Sequence, residues 1–301
     1  SAAANPIIVA VPMFIFMGTM LERSGVAKDL LHTLQIVTRR VPGGLAMSVT
    51  LMGTIMAATT GIVGASVVML TMIALPSMME RGYAKELAVG TIASAGTLGI
   101  LIPPSIMLVI MGDLLSVSVG ALFAASILPG MLLAGLYLLY IGITSYRNPD
   151  RAPPLPDDIG PSSNAELIAL VFKSFFPPVL LITLVLGSIF GGFATPTEAA
   201  GVGCLGAIFL AWMNKKLSMK TLRDVIRLAG LTNGMVFFIF FGATLFSYVF
   251  RALGGDDLIL ELLGVIGIDT GWEILTFMLV LTFLLGFFFD WIEITLIVLP
   301  V

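Results

Sequence analysis

Ser94-Ala-Gly-Thr-Leu-Gly-Ile-Leu-Ile-Pro-Pro-Ser105 lies inside an apolar run, residues 87–112, long enough to cross a bilayer. Spanning the hydrocarbon core takes roughly 20 apolar residues in a helix. A helix in lipid must also satisfy its own backbone, and this one cannot. Gly96 and Gly99 loosen it, while Pro103 and Pro104 remove two amide donors and clash with the preceding turn. Carbonyls near residues 99–100 lose their partners there, so the stretch reads as a broken transmembrane helix. Such backbone is tolerated at membrane depth only inside protein or beside a water-filled cavity. A single proline kink would more simply shape packing. Gly-x-x-Gly followed by Pro-Pro-Ser, next to a second break, favours a binding role.

That second break is upstream. Residues 45–80 are too long for one tilted span and too short for two full spans with a turn, and Thr59-Thr-Gly-Ile-Val-Gly-Ala-Ser66 places a polar, glycine-containing stretch at their centre. The segment reads as a helical hairpin that dips into the membrane and returns. The hydroxyls of Ser66 and Thr97, with the freed carbonyls, form the oxygen-rich donor set a hard cation such as Na⁺ requires. The half-helices flanking the break present N-terminal dipoles that suit a carboxylate.

The surroundings are membrane throughout. Of 301 residues 58% are hydrophobic and 11% charged, with mean hydropathy +1.08, whereas a soluble domain carries about 25% charged residues. Further apolar stretches occupy residues 5–21, 117–145, 172–193, 201–213, 228–250 and 274–301. The fold class is all-α and polytopic. The first residues lack an initiator Met or a signal-peptide pattern, and the chain stops in an apolar run, so truncation at both ends is expected. Cys204 is the single cysteine, and His32 falls in a loop as a surface residue. A phosphate-binding Gly-x-x-x-x-Gly-Lys-Ser/Thr loop, a His-Glu-x-x-His pair and a Gly-x-Ser-x-Gly elbow are all absent from the sequence. Nothing resembles a basic stacking surface, so nucleic acid is not an expected partner; the lipid bilayer is.

Two blocks recur at one spacing. Phe14-Ile-Phe-Met-Gly18 resembles Phe238-Ile-Phe-Phe-Gly242, and Thr71-Met-Ile-Ala-Leu-Pro76 resembles Thr295-Leu-Ile-Val-Leu-Pro300, each pair 224 positions apart. Charge orients the copies. The loop 22–44 carries Arg23, Lys28, Arg39 and Arg40, whereas its counterpart 246–273 carries Arg251 against Asp256, Asp257, Glu261, Asp269 and Glu273. Lys/Arg excess marks the cytoplasmic side, so the first loop falls inside, the second outside, and the repeat is inverted. With the hairpin returning to its own side, the linker 147–166 and the cluster Lys215, Lys216, Lys220, Arg223 and Arg227 also fall inside. The expected organisation is a first repeat over residues 1–145, a cytoplasmic linker over 146–168, connecting helices and an interfacial amphipathic segment over 169–227, and an incomplete second repeat over 228–301.

In the second copy Asp290 aligns with Ser66, within Gly286-Phe-Phe-Phe-Asp-Trp-Ile-Glu293. An ionisable group at membrane depth is a functional candidate, and the competing reading is a carboxylate facing the outer aqueous layer. Glu293 shares its helical face if the segment is helical. Thr195-Pro-Thr-Glu198 reads as a capping box, and Gly201, Gly203 and Gly206 as close helix packing.

Val11-Pro-Met-Phe-Ile-Phe-Met-Gly18, Arg81-Gly-Tyr83, Gly96-Thr-Leu-Gly-Ile-Leu-Ile-Pro-Pro-Ser-Ile106 and Ala194-Thr-Pro-Thr-Glu-Ala-Ala200 together resemble the large permease subunit of tripartite ATP-independent periplasmic (TRAP) transporters. The resemblance covers essentially the whole chain. It implies an elevator-type transporter with re-entrant hairpins and broken helices, a small four-helix membrane subunit and a periplasmic substrate-binding protein as partners, and the bacterial inner membrane as location. It implies Na⁺ sites at the hairpin tips, the first tip being residues 60–66 and its broken helix holding 96–105. Thr60, Gly64, Ser66, Thr97, Gly99 and Pro103 become the Na⁺ candidates, and Ser105, Asp290 and Glu293 the substrate candidates. The expected function is Na⁺-coupled uptake of a carboxylate-bearing organic anion, such as a C4-dicarboxylate or sugar acid, and not enzymatic catalysis. The alternatives are a Na⁺/dicarboxylate symporter that needs no binding protein and a membrane-embedded enzyme.

Overall fold

The computed structural model describes residues 6–60, 63–155, 163–268 and 270–298. Among these the regular structure is helical throughout. Helix α1 (Pro6–Arg23) meets α2 (Val26–Val37) at a 56° bend. The pair α3 (Gly44–Thr60) and α4 (Val63–Glu80) precedes α5 (Lys85–Leu101) and α6 (Ile106–Leu114). Then come α7 (Val119–Arg147), α8 (Asn164–Phe190), α9 (Pro196–Met213) and α10 (Met219–Ala252). Helices α11 (Gly255–Ile266), α12 (Gly271–Leu285) and the short α13 (Trp291–Glu293) follow, and the last turn, Ile294–Val298, is π-helical. Among the described residues five helices are long and apolar enough to cross a membrane, or six if α1–α2 is one span. The protein is an all-α polytopic membrane protein.

The chain divides into two units. The first holds residues 1–113 and 117–230, where α1 packs along α9 and both α3 and α4 pack on α5. The close fit has identifiable contacts. Phe14 meets Phe123 edge to face at 6.5 Å, Cys204 Sγ donates to Met13 O at 3.1 Å, and the buried hydroxyls of Thr33 and Ser174 share a 2.7 Å hydrogen bond between α2 and α8. The second unit holds 114–116 and 231–301; within it Trp291 and Ile292 are buried.

Three segments differ from the sequence reading. Loop 22–44 contains α2, whose Leu30, Leu31, Leu34 and Ile36 are buried while His32 lies on its exposed face. Its apolar residues recur at helical spacing, and the flanking charges mask that signal. The amphipathic segment 217–229 is no separate helix: α10 runs unbroken over 34 residues, about 51 Å at 1.5 Å per residue, well beyond the roughly 30 Å hydrocarbon core. The start of linker 146–168 is an ordered strap. Gly43 N donates to Ala152 O, Ala84 N to Arg151 O, and Leu155 N to Arg39 O, each at 2.9 Å. Ala152 and Leu155 are buried.

The element order around the repeat blocks is duplicated, but not at one spacing. Gly25, at φ 84°, opens α2, and Gly254, at φ 79°, opens α11. These left-handed positions favour glycine and stand 229 residues apart. Gly43 and Gly267, at φ 78° and 77°, are 224 apart. Five extra residues before the second elbow are thus balanced by a shorter connection after α11.

Candidate ion and substrate site

Helix α5 stops at Leu101 and α6 starts at Ile106, with Ile102 extended and the Pro103–Pro104 peptide cis. The break falls at the two prolines, where the next turn of helix would need their missing amides. Ile102 N still donates to Leu98 O at 3.0 Å, closing the last turn of α5. The carbonyl of Ile100 accepts from Ser105 Oγ. One of the carbonyls expected to lose its partner is therefore met locally, and Ser105, fully buried, bridges the two halves of the broken helix. A carbonyl has two lone pairs, so Ile100 O keeps one for a further ligand.

The hairpin pair reaches this break through Gly96. A Cβ at Gly96 would lie 3.2 Å from Val67 N and 3.3 Å from its Cα. Only glycine lets α4 approach α5 so closely. Val67 and Gly96 are the chain neighbours of Ser66 and Thr97, so this crossing brings together the two backbone segments that carry those hydroxyls. Ser66 is buried. Thr97 lies on the exposed face of α5, its Oγ1 donating to Ser94 O at 2.8 Å. Gly64 is exposed in the first turn of α4, while Gly99 and Pro103 are buried at the break. The side chain of Thr60, together with Gly61 and Ile62 at the tip, lies outside the described residues.

The base of the pair is fixed separately. Leu45 N donates to the buried Tyr83 Oη at 3.2 Å, tying the start of α3 to the α4–α5 turn. Burial pushes the Tyr83 phenol above its ordinary range, so it stays neutral and keeps its acceptor.

Asp290 and Glu293 belong to the second unit. Asp290 is exposed and caps α13, Oδ1 accepting from Trp291 N at 2.8 Å. Glu293 lies in the same helix, partly buried, with Oε2 enclosed and without a hydrogen-bond partner among the described residues. The carboxylate that sequence ranked second is thus the one held away from solvent, a distinction of packing that alignment to Ser66 cannot show.

The donors around the first break are neutral oxygens from hydroxyls and carbonyls. Hard cations take oxygen ligands, so this set fits Na⁺ in chemistry. The two helix ends add opposite fields: the C-terminus of α5 is negative, and the N-terminus of the nine-residue α6 is positive.

Over residues 1–301 the chain matches the family "Tripartite ATP-independent periplasmic transporter, DctM component". It is 32% identical over 243 residues to the C4-dicarboxylate TRAP transporter large permease protein DctM of Pseudomonas aeruginosa, covering 80% of this chain and 55% of that protein. To the ectoine/5-hydroxyectoine TRAP transporter large permease protein UehC of Ruegeria pomeroyi it is 31% identical over 300 residues, covering 98% of this chain and 67% of that one. To the isethionate TRAP transporter permease protein DctMQ of Oleidesulfovibrio alaskensis it is 31% identical over 245 residues, covering 80% and 37%. The chain spans about half the length of the Pseudomonas relative.

Proposed function

The chain belongs to the DctM component family of tripartite ATP-independent periplasmic transporters, and on that premise we propose that it forms part of the large permease for Na⁺-coupled uptake of a small organic anion. The observation that carries this reading is the break between α5 and α6, joined to the α3–α4 pair through Gly96 and Val67. Neutral oxygens there suit Na⁺, and the positive end of α6 suits an anionic group. A bound Na⁺ draws the two segments together and completes the site for the anion, so ion and substrate bind as a coupled pair. The relatives' names cover a C4-dicarboxylate, ectoine and isethionate, a dicarboxylate, a zwitterion and a sulfonate. An acidic group, carboxylate or sulfonate, is their shared feature, and a carboxylate is the class proposed here. The partners are a periplasmic binding protein that delivers the solute and a small membrane subunit, and the location is the bacterial inner membrane.

The test is uptake of labelled organic acids into proteoliposomes holding the full-length permease, its small subunit and its binding protein. Uptake should require both an inward Na⁺ gradient and the binding protein. Ser66→Ala should weaken apparent Na⁺ affinity about tenfold, of the order expected for one lost hydroxyl ligand. Uptake indifferent to Na⁺ would reject the coupling, and uptake without the binding protein would reject the tripartite reading.

A further inference from the structure

A groove of about 480 Å³ runs between α5 and α7, lined on one side by Leu87, Gly90, Thr91 and Ser94 and on the other by Tyr137 and Ile141. Its size is that of a small-molecule site. Glu86 and Arg151 close one end, their side chains 3.3 Å apart and each at least half exposed. That end belongs to the basic, cytoplasmic side, where α5 begins at Lys85 and α7 ends at Arg147. From Glu86 to Ser94 the groove follows eight residues of helix, about 12 Å. It therefore descends through most of one leaflet, about half of the roughly 30 Å core. Thr91 is 4% exposed, and its Oγ1 has no hydrogen-bond partner among the described residues. A buried hydroxyl without a partner costs about 1–3 kcal/mol, so a ligand that meets it gains from doing so. Gly90 leaves the floor open, since a Cβ there would meet nothing within 4 Å.

We propose that this groove binds one phospholipid of the cytoplasmic leaflet with a zwitterionic, amine-bearing headgroup. The fit is in charge and depth together. Arg151 presents a planar donor fork to the phosphate, Glu86 accepts from the ammonium, and an acyl chain lies along Leu87, Leu136 and Ile141. Thr91 Oγ1 sits one to two turns below the headgroup, at the level of an ester carbonyl. An anionic lipid without the amine meets Arg151 but leaves Glu86 without a cationic partner. The lipid ties the N-terminal half of α5 to α7, on the strap side of the first unit, and does not touch the break at Pro103.

The full-length permease is incorporated into nanodiscs of equal phosphatidylethanolamine and phosphatidylglycerol, then extracted, and its retained lipid is counted by native mass spectrometry. One phosphatidylethanolamine per permease should remain in preference to phosphatidylglycerol. Gly90→Leu, which fills the floor, and Leu136→Phe, which narrows the opposite wall, should each lower retention about tenfold. Val89→Leu, on the neighbouring exposed surface, should leave it unchanged. Glu86→Gln, which removes the acceptor for the ammonium, should abolish the headgroup preference. Equal retention of both lipids by the unaltered protein, or undiminished retention in both groove variants, overturns the proposal. The readout is bound lipid, so it stands or falls separately from Na⁺-driven uptake.

Discussion

At Gly96 the backbone of α4 lies close against the broken helix, and the missing side chain is what permits that distance. Gly96→Val forces its new carbons onto Val67 and should cost about 1–3 kcal/mol, the usual cost of overpacking. A lowered melting temperature in detergent, with uptake falling further than stability, is the expected result; an unchanged melting temperature would mean the crossing is loose. Tyr83 offers a complementary case, because removing one atom leaves packing intact. Tyr83→Phe strands the Leu45 amide at the base of α3, and an unsatisfied buried donor costs about 1–3 kcal/mol. Thermal unfolding should show that loss, whereas a neutral result would mean water replaces the phenol. The glycine was visible in the sequence as part of a break. Its contact with Val67 was not, because sequence shows that a helix is loosened and not what presses against it.

Helix ends were the most legible elements. Thr195-Pro-Thr-Glu198 forms the capping box its spacing announces: Glu198 N donates to Thr195 Oγ1 at 3.3 Å, and Thr195 N donates to Glu198 Oε2 at 2.8 Å. Thr270 and Glu273 repeat the device at the start of α12. Thr195→Ala should lower stability by about 1 kcal/mol, measurable as a shift in melting temperature, with Thr195→Ser restoring it. Least legible was the strap, since Pro149-Asp-Arg-Ala-Pro-Pro-Leu155 has the composition of a solvated linker. Its anchoring comes from backbone hydrogen bonds to Arg39, Gly43 and Ala84, and backbone groups carry no signature in sequence. The only hint is that Ala152 and Leu155 are apolar within a polar run. Ala152→Leu, at a fully buried position, should destabilise the first unit by about 1–3 kcal/mol through overpacking. If the variant melts like the parent, the strap contributes nothing to the fold.

Orientation in the membrane is a property of the whole molecule, and it rests on charge. The basic residues Arg39, Arg40, Lys215, Lys216, Lys220, Arg223 and Arg227 fall on one side only if α3 and α4 enter and leave by the same face. Helix length agrees with that path without requiring it. α3 and α4 have 17 and 18 residues, about 26 Å each, slightly short of the roughly 30 Å hydrocarbon core. The elbow–helix–elbow order recurs at Gly25 and Gly43 and at Gly254 and Gly267, yet an internal repeat can be parallel or inverted, and only sidedness separates the two. Cysteine labelling decides it. Cys204 is buried and is replaced by Ala, and single cysteines are introduced at Ser163, at the exposed Phe193 and at the exposed Thr270. A membrane-impermeant maleimide applied to spheroplasts should label Phe193→Cys and Thr270→Cys at once, and Ser163→Cys only after permeabilisation. Labelling of positions 163 and 193 from the same side would mean that α8 does not cross. Labelling of 163 and 270 together, with 193 protected, would put 193 and 270 on opposite faces, so that only one of α9 and α10 crosses and linker 146–168 lies outside. The expected pattern keeps every Lys/Arg-rich connection on one face, as the charge rule requires.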